Sequence, residues 1–574
     1  MSFNTQKFNV SSFNKPLLTA LILTLTPWSL VSAEVTPDTG SILQQMQPTP
    51  PAQPSSDDTG LKMESSATAK LPMTEAFEVK VIELAGNHVF STELLQALVV
   101  DAIGTKITLP QLDALANRIT DYYHSHGYPL ARAYIPAQTI ATGTVRIEVL
   151  EAQYGVINID NHSQVSDSLL QSTLSPLKPG QPITQSPMDK ALLLLSDIPG
   201  VSSLATLKPG ADVGSSDLDV KVAATPRVSS NLSTDNYGNA LTGRVRGGAT
   251  VEINNVLHVG DVLSLSGMTA GDNMNYGRLS YDVLLNGHGT RLGVSYFILN
   301  YALGGAMQAI NAYGTAQITS AWAKHPLWRS RELNFFGQLQ YDHLQLNDSI
   351  DVADIQTFRH IDGGTATLSG DARDNIHMGA TNTWNAAWSA GQVGFDNSAA
   401  HIADAATKNN QGLFSKLNLN LTRLQNLTKK DSLYASFTGQ WAQSNLDSSK
   451  KMMVGGPYTV RAYDMGALSA DSGYLGTVEL RHMLVDGRFG QWQAVGFVDS
   501  AQVTINQSTW GAGANKATLS GAGGGLNWLA PKTNWLIPMQ LHARVYVATP
   551  IGPVPMLVAA TNSTRAWLEF GVGF

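Results

Sequence analysis

The sequence predicts a mainly β protein in which two small α+β modules precede a C-terminal antiparallel β-barrel that spans a membrane. Three observations carry this prediction. Only 14% of the 574 residues are charged, yet the mean hydropathy of −0.06 is close to zero. From residue 227 to residue 574, short segments of alternating apolar and polar residues are separated by Gly, Asn, Asp and Ser turns. The chain ends in such a segment, at Phe574. Strands that cross a membrane show this alternation over about 10 residues each.

The composition excludes several classes of protein. The chain has no cysteine, which rules out disulfides, iron–sulfur clusters and thiolate zinc sites. Its net charge of −7 argues against a nucleic-acid partner, because phosphate binding needs clustered Lys and Arg. Low charge without high hydropathy argues against a helical membrane protein. No segment after the N-terminus has the ~18 consecutive apolar residues of a spanning helix, so any other membrane contact must be made by strands.

The N-terminus predicts a signal peptide over residues 1–33. Lys7 and Lys15 precede an apolar run from Leu17 to Ala33, which ends in a small-residue cleavage site after Ala33. The alternative is a transmembrane anchor. The run is short for that purpose, is interrupted by Pro27, and has no flanking stop-transfer charges.

A short amphipathic helix and a linker are predicted next. Residues 34–48 contain Asp38, which can cap a helix, followed by apolar residues that share one helical face. Those residues are Ile42, Leu43 and Met46. Residues 49–75 are rich in Pro, Ser, Thr and Asp, a composition typical of a flexible linker. Such a helix has no core of its own, so it must dock elsewhere or stay disordered.

Two copies of one globular pattern follow, at residues 76–152 and 153–226. Each copy is predicted as strand, helix, helix, strand, strand, with Ser91 as the N-cap of the first helix and Gly127 at the end of the second. The repetition predicts tandem modules rather than one large fold.

The final segment shows the barrel pattern most clearly. One face of the predicted strand is apolar, and the other carries Trp567, Glu569 and two glycines. The apolar face consists of Ala566, Leu568, Phe570, Val572 and Phe574. A terminal Phe on such a strand resembles the signal that the outer-membrane assembly machinery recognises. The alternative is an edge strand of a soluble β-sandwich.

An arginine, Arg461, stands in a long loop predicted between two strands, from Gly455 to Gly473. If this loop folds into the barrel, the arginine needs an acidic partner on the inner wall. Asp499 is the candidate, because it shares a strand face with Phe497 and Ala501 among uncharged neighbours. The alternative is that Arg461 is a solvated charge on an exposed loop.

Other motifs do not indicate chemistry. The glycine-rich run Gly521–Leu526 lacks the strand–turn–helix setting of a nucleotide-binding loop, so it predicts a strand that bends or packs closely. His325 has no second ligand at metal-binding spacing. We identify no catalytic, cofactor-binding or metal-binding residues, and we expect no enzymatic activity.

These motifs together resemble the two-partner secretion transporters (TpsB family, of the haemolysin secretion/activation type), a branch of the superfamily that includes the barrel-assembly factors. The residues that match its loop and strand motifs are Val460, Arg461, Tyr463, Phe497 and Asp499. Two positions differ, since Ala462 and Ala501 stand where the family has glycine. The resemblance covers nearly the whole chain.

The resemblance implies a 16-stranded barrel over residues 227–574 with loop 455–473 folded inward and latched by Arg461 and Asp499. It also implies that the modules are POTRA domains in the periplasm and that residues 34–48 are a plug helix. The expected function is export of a TpsA-type adhesin or haemolysin across the bacterial outer membrane, without a cofactor. Outer-membrane lipid, the barrel-assembly machinery and periplasmic chaperones are the other expected partners.

Three alternatives to this function remain open. An assembly factor would insert proteins into the membrane, and such factors commonly carry more POTRA modules and lack the plug. A passive porin would need no modules, and an enzyme would need a catalytic constellation.

Overall fold

The structure is a computed structural model that describes residues 36–46, 56–63, 75–140, 142–531, 539–558 and 564–574. The predicted signal peptide, with its cleavage site after Ala33, lies outside the described residues, as does most of the predicted linker. In the described part of the chain, no helix is both long enough and apolar enough to cross a membrane.

The first helix, α1, spans Thr39–Met46. Asp38 caps it, because its carboxylate accepts a hydrogen bond of 2.9 Å from the amide of Ser41. The predicted apolar face of Ile42, Leu43 and Met46 is buried. It packs against inward-facing side chains of the barrel, including Phe297 and Leu346. The helix therefore lies inside the barrel lumen.

The first module has the predicted order of elements, with two additional two-residue strands. Its strands are β2 (Phe77–Glu78), β3 (Val81–Ala85), β4 (Lys106–Ile107), β5 (Arg132–Tyr134) and β6 (Thr144–Leu150), and its helices are α2 (Thr92–Ala97) and α3 (Leu109–Ser125). In the main sheet, β6 lies between β3 and β5. The hydroxyl of Ser91 caps α2 by accepting from the amide of Leu94. Gly127, with a φ of 86°, follows α3.

The second module repeats this arrangement. It contains β7 (Gln153–His162), α4 (Asp167–Leu174), α5 (Gln185–Ser196), β8 (Val201–Pro209) and β9 (Ser215–Ala224). Strand β9 is parallel to β7 and antiparallel to β8. Leu170, Leu192 and Leu218 are fully buried between the helices and the sheet.

Part of the predicted flexible linker is ordered, which differs from the sequence prediction. Residues Leu61–Met63 form a strand, β1, that pairs in parallel with β8 at the edge of the second module, with Leu61 opposite Ala205. Asp57 forms an ion pair of 3.2 Å with Arg373 of the barrel. Composition alone could not predict this strand, because its pairing partner lies about 140 residues further along the chain.

In the described residues, sixteen antiparallel strands close into a barrel, which confirms the predicted strand number. They are β10 (Val228–Asp235), β11 (Arg246–Asn254), β12 (Val262–Thr269), β13 (Met274–Leu284), β14 (Arg291–Ala302), β15 (Ala312–Arg329), β16 (Leu333–Ile350), β17 (Ile355–Asp374), β18 (Ala380–Phe395), β19 (Gly412–Asn426), β20 (Asp431–Ala442), β23 (Ser472–Gly487), β24 (Gly490–Thr504), β25 (Lys516–Leu529), β26 (Gln540–Pro550) and β27 (Arg565–Gly573). Strands β21 (Met452–Val454) and β22 (Leu468–Ala470) pair with each other in the loop after β20, and helix α6 (Ser398–Ala405) follows β18.

The last strand shows why alternation produces this barrel. Leu568 and Phe570 are half exposed on the outer wall, whereas Trp567 is 2% exposed on the inner wall. Phe574 extends the closing pair β10–β27, since its amide donates to the carbonyl of Ser230 at 2.9 Å. Apolar residues thus face outward, as a membrane requires.

The second module is fixed to one end of the barrel, which we call the module end. Asp197 accepts two hydrogen bonds of 2.8 Å from Arg329, and Asp189 accepts bonds of 2.7 and 3.0 Å from Arg331. Both arginines lie at the turn between β15 and β16, and Asp189 lies on α5 while Asp197 caps its end. Because strands alternate in direction, the loop after β20 enters from the opposite end, which we call the far end.

Candidate functional site

The loop between β20 and β23 folds into the barrel from the far end. Strands β21 and β22 form its stem, and the tip at residues 455–467 lies against the inner wall. Val460, Ala462 and Tyr463 are fully buried there. Gly455 and Gly456 have φ values of 99° and 114°, which residues with a side chain rarely adopt, so they allow the chain to turn at the start of the tip.

Arg461 at the tip contacts Asp499 on β24 through two side-chain nitrogens. Its Nε lies 2.8 Å from Oδ2 of Asp499, and its Nη2 lies 2.7 Å from Oδ1. The backbone amide of Arg461 also donates to Oδ2, at 3.1 Å. This is the planar, two-pronged pairing that a guanidinium can form and an ammonium cannot. The structure thus brings together the two residues that the sequence indicated as partners.

A second acid, Glu479 on β23, is part of the same site and was not predicted. Its Oε1 accepts from Nη1 of Arg461 at 2.7 Å, and its Oε2 accepts from Arg481 at 2.6 Å. Residues 477, 479 and 481 share the inner face of β23, so the alternation of that segment could have indicated Glu479. Two arginines and two carboxylates together balance the charge, which burial of these groups requires.

Aromatic side chains surround the guanidinium of Arg461. Its Cζ lies 3.4 Å from the centre of the Phe497 ring and 5.6 Å from that of Tyr546. The indole nitrogen of Trp567 donates to the carbonyl of Arg461 at 2.7 Å. Tyr463 is buried in the same apolar cluster as Val460 and Phe497. The predicted motif residues therefore form one packed unit around the arginine.

Asp464 ties the loop tip to the strands beside the closing pair. It accepts hydrogen bonds from Arg565 on β27 at 2.6 Å and from Arg244, just before β11, at 3.1 Å. These pairings could not be predicted from the sequence, because separations of 101 and 220 residues leave no local pattern. The loop is thus held to both sides of the junction between β10 and β27.

A second buried arginine, Arg359 on β17, holds the N-terminal end of α1. It forms ion pairs with three carboxylates, at 2.7 Å with Asp348, 2.7 Å with Asp447 and 3.2 Å with Asp38. Arg359 is 3% exposed. No local pattern in the sequence indicates this cluster, since its members come from the residue before α1, two barrel strands and the inward-folded loop.

Helix α1 also contacts the inward-folded loop directly. The hydroxyl of Ser448 donates to Asp38 at 2.7 Å. Gly40 passes so close to Ser448 and Ser449 that an added Cβ would overlap them. Near the other end of the helix, a Cβ on Gly466 would lie 2.9 Å from the side chain of Gln45. The helix and the loop therefore occupy the lumen as neighbours that share one packing surface.

We expect Arg359→Gln to loosen α1 in the lumen, because three carboxylates would then lose the guanidinium that they share. Breaking a buried ion pair by removing one partner commonly costs about 3–5 kcal/mol. Single-channel recordings in planar bilayers should show more frequent open events than in the unsubstituted protein. The matched control is Arg278→Gln, which changes an exposed arginine of the lumen. Identical recordings from Arg359→Gln and the unsubstituted protein would show that the ion pairs do not hold the helix.

The described residues contain no group of three or more His, Cys, Asp or Glu that could hold a metal ion. The glycine-rich run Gly521–Leu526 lies on β25, in the barrel wall beside the loop tip. His325 contacts Thr290 through Nδ1 at 2.9 Å.

Comparison with known families gives two matches. The model for "Haemolysin secretion/activation protein ShlB/FhaC/HecB" matches residues 214–528. The model for "POTRA domain, ShlB-type" matches residues 77–152, which is the first module.

Two curated relatives span most of the chain. The heme/hemopexin transporter protein HuxB of Haemophilus influenzae is 30% identical over 456 residues, which cover 78% of this chain and 80% of that protein. The outer membrane transporter CdiB of Escherichia coli is 23% identical over 534 residues, which cover 84% of each chain. The solved structure of CdiB from Escherichia coli superposes with a TM-score of 0.67 at 18% identity and covers 89% of this chain and 92% of its own. At that identity the structural likeness shows a shared fold.

Proposed function

Because the chain belongs to the ShlB/FhaC/HecB family of haemolysin secretion/activation proteins, we propose that it captures an exported partner protein with its two modules and passes it through the barrel lumen. The protein is an outer-membrane transporter of the two-partner secretion type. We place its modules in the periplasm and the far end of the barrel at the cell surface. A transporter of this family supplies a passage and needs no catalytic centre.

The observation that carries the proposal is a closed barrel whose lumen holds a short helix and an inward-folded loop. Helix α1 makes no strand pair with the barrel wall, and the loop tip is held by side-chain contacts rather than by barrel hydrogen bonds. A passive porin would need neither. A lumen closed at rest and opened on demand suits the passage of an unfolded chain.

The division of the chain into domains supports the proposed export function. We propose residues 1–33 as the signal peptide, 34–48 as the plug, 49–75 as the linker, 76–152 and 153–226 as the POTRA domains, and 227–574 as the barrel. Phe574 is the proposed signal for barrel assembly, which periplasmic chaperones and the assembly machinery would use.

Export needs an energy source other than nucleotide hydrolysis, because the periplasm lacks ATP. We propose that an extended partner chain adds a strand to a module sheet, crosses the lumen, and folds at the cell surface, so that folding makes transport directional. The partner is of the TpsA class. Since the relative with 30% identity is named a heme/hemopexin transporter, a secreted heme-acquisition protein is the client to test first.

Co-expression tests the proposed function. The transporter and a candidate TpsA-type exoprotein are produced in a host that lacks both, and the exoprotein is measured in the medium and on the cell surface. We expect external exoprotein only when the transporter is present, with the barrel folded as judged by heat-modifiable migration. Equal amounts outside the cell with and without the transporter would overturn the proposal.

We expect a soluble fragment of residues 77–225 to bind the N-terminal part of the client. A longer fragment of residues 56–225 retains β1, which covers the edge of β8, and should bind more weakly because the client must displace it. Isothermal titration with both fragments measures the difference. If neither fragment binds while the full transporter does, recognition lies in the barrel, and equal affinities would show that the client does not use the β8 edge.

A further inference from the structure

The inner face of β25 lacks side chains where the loop tip meets the barrel wall. Gly521 lies opposite Asp499 in the strand pairing of β24 and β25. An ideal Cβ built on Gly521 would overlap the methyl group of Ala462. A Cβ on Gly523 would lie 2.6 Å from Cζ of Phe497 and would also overlap the carbonyl of Val547. Two neighbouring inward positions on this strand thus make room for residues on either side of the ion pair.

We propose that Gly521 is a positioning residue for the loop, and that its missing side chain forms the socket into which Ala462 fits. Ala462 directly follows Arg461 and is fully buried, so the position of its methyl group fixes the position of the guanidinium. A methyl group cannot rotate away from its own backbone. Any side chain at position 521 must therefore move the loop backbone, and Arg461 moves with it.

The glycine is not required for backbone conformation. Gly521 lies within β25, and it is not among the glycines of the described residues that have a positive φ. An alanine could adopt the same backbone, and the clash is with Ala462 alone at short range. The next contacts of the added Cβ are the Thr549 carbonyl at 3.2 Å and the Ala462 amide at 3.5 Å, which small shifts can accommodate.

The close contact between Gly521 and Ala462 predicts that a substitution at one position reduces export and that a second substitution restores it. Gly521→Ala should reduce export at least about tenfold, because overpacking at a well-packed contact is destabilising. Adding Ala462→Gly should restore export to within about twofold, because it removes the overlapping methyl group. Ala462→Val leaves the barrel strand unchanged and should give the same loss from the loop side. Gly496→Ala on β24 is the matched control, since its added Cβ meets nothing within 4 Å.

Limited digestion with trypsin shows whether the loop tip is in place, and this experiment needs no exported client. Arg461 is 4% exposed, so trypsin should not cleave after it in the folded protein. We expect cleavage after Arg461 in Gly521→Ala and in Ala462→Val, identified by mass spectrometry, and protection again in the double variant Gly521→Ala/Ala462→Gly. Heat-modifiable migration shows that each barrel is folded.

The export readout rests on the proposed function, whereas the trypsin readout does not. If the unsubstituted protein exports nothing, the proposed function is wrong. The proposal that Gly521 positions the loop is then tested by protection of Arg461 from trypsin alone. Continued protection of Arg461 in folded Gly521→Ala would overturn the socket. Failure of Ala462→Gly to restore protection in a folded double variant would also overturn it, since the defect would then not come from the two methyl groups.

Discussion

Replacing Arg461 with alanine is expected to abolish export nearly completely while the barrel still inserts into the membrane. Asp499 would lose its cation and Glu479 would keep only Arg481, and a buried carboxylate without a cation is strongly disfavoured. A charge-assisted hydrogen bond contributes about 1.5–3 kcal/mol, and Arg461 makes several. The loop tip should therefore leave the inner wall. Exported client in the medium, normalised to heat-modifiable barrel, measures the effect.

A double-mutant cycle decides whether Arg461 and Asp499 act as one unit. Asp499→Ala should resemble Arg461→Ala, and the double variant should be little worse than either single variant. Arg461→Lys should export partially, because an ammonium cannot contact both oxygens of Asp499 and Glu479 with the same geometry. Arg278→Ala, which removes an exposed lumen arginine, is the control. Independent losses that add in the double variant would show that the two residues are not functional partners.

Deleting residues 36–46 is expected to produce the largest change in conductance. Helix α1 fills the lumen between the loop and strands β14 to β16, where its apolar face is buried. Its removal should widen the open part of the lumen without breaking any barrel hydrogen bond, since α1 makes none of the strand pairs. Planar-bilayer recordings should show long-lived openings of higher conductance, and heat-modifiable migration should be unchanged.

Gly40→Ala tests the same idea by substitution. An added Cβ at this position would overlap Ser448 and Ser449, so α1 should pack less closely against the loop. Recordings should show more frequent openings than in the unsubstituted protein, with unchanged heat-modifiable migration. Unchanged conductance in the deletion variant would show that α1 does not close the lumen.

The alternating pattern of the strands made the barrel predictable from the sequence, whereas only some of the contacts inside the barrel could be predicted. Alternation over the last residues of β27 places Trp567 inside and Phe570 outside, and this depends only on neighbours in the sequence. Arg461 and Asp499 could be paired because each is a rare charge in an apolar segment, and because both match a motif of the family that the sequence resembles.

Other contacts had no such signal. Arg359 forms ion pairs with Asp38 and Asp447, which lie far from it in the chain. From the sequence alone, many other acidic residues were equally good candidates for its partners. The pairing of β1 with β8 was hidden for the same reason, because a three-residue strand has too few residues to show a period. Gly521 was noticed as part of a glycine-rich run, but its partner Ala462 depends on the folded position of the loop.

Because β1 pairs with β8 in parallel, the structure has a consequence for which end of an exported chain would enter the barrel first. Strand β8 starts next to the barrel, where the carbonyl of Pro199 accepts a hydrogen bond from Asn255, and runs away from it. A segment that replaced β1 in the same parallel sense would hold its amino end nearest the pore. The leading end of the polypeptide would then be its N-terminal side. Cross-links from the exposed Leu257, in the same turn as Asn255, to successive positions of a stalled substrate would show this polarity, and cross-links to the carboxyl side of the bound segment would contradict it.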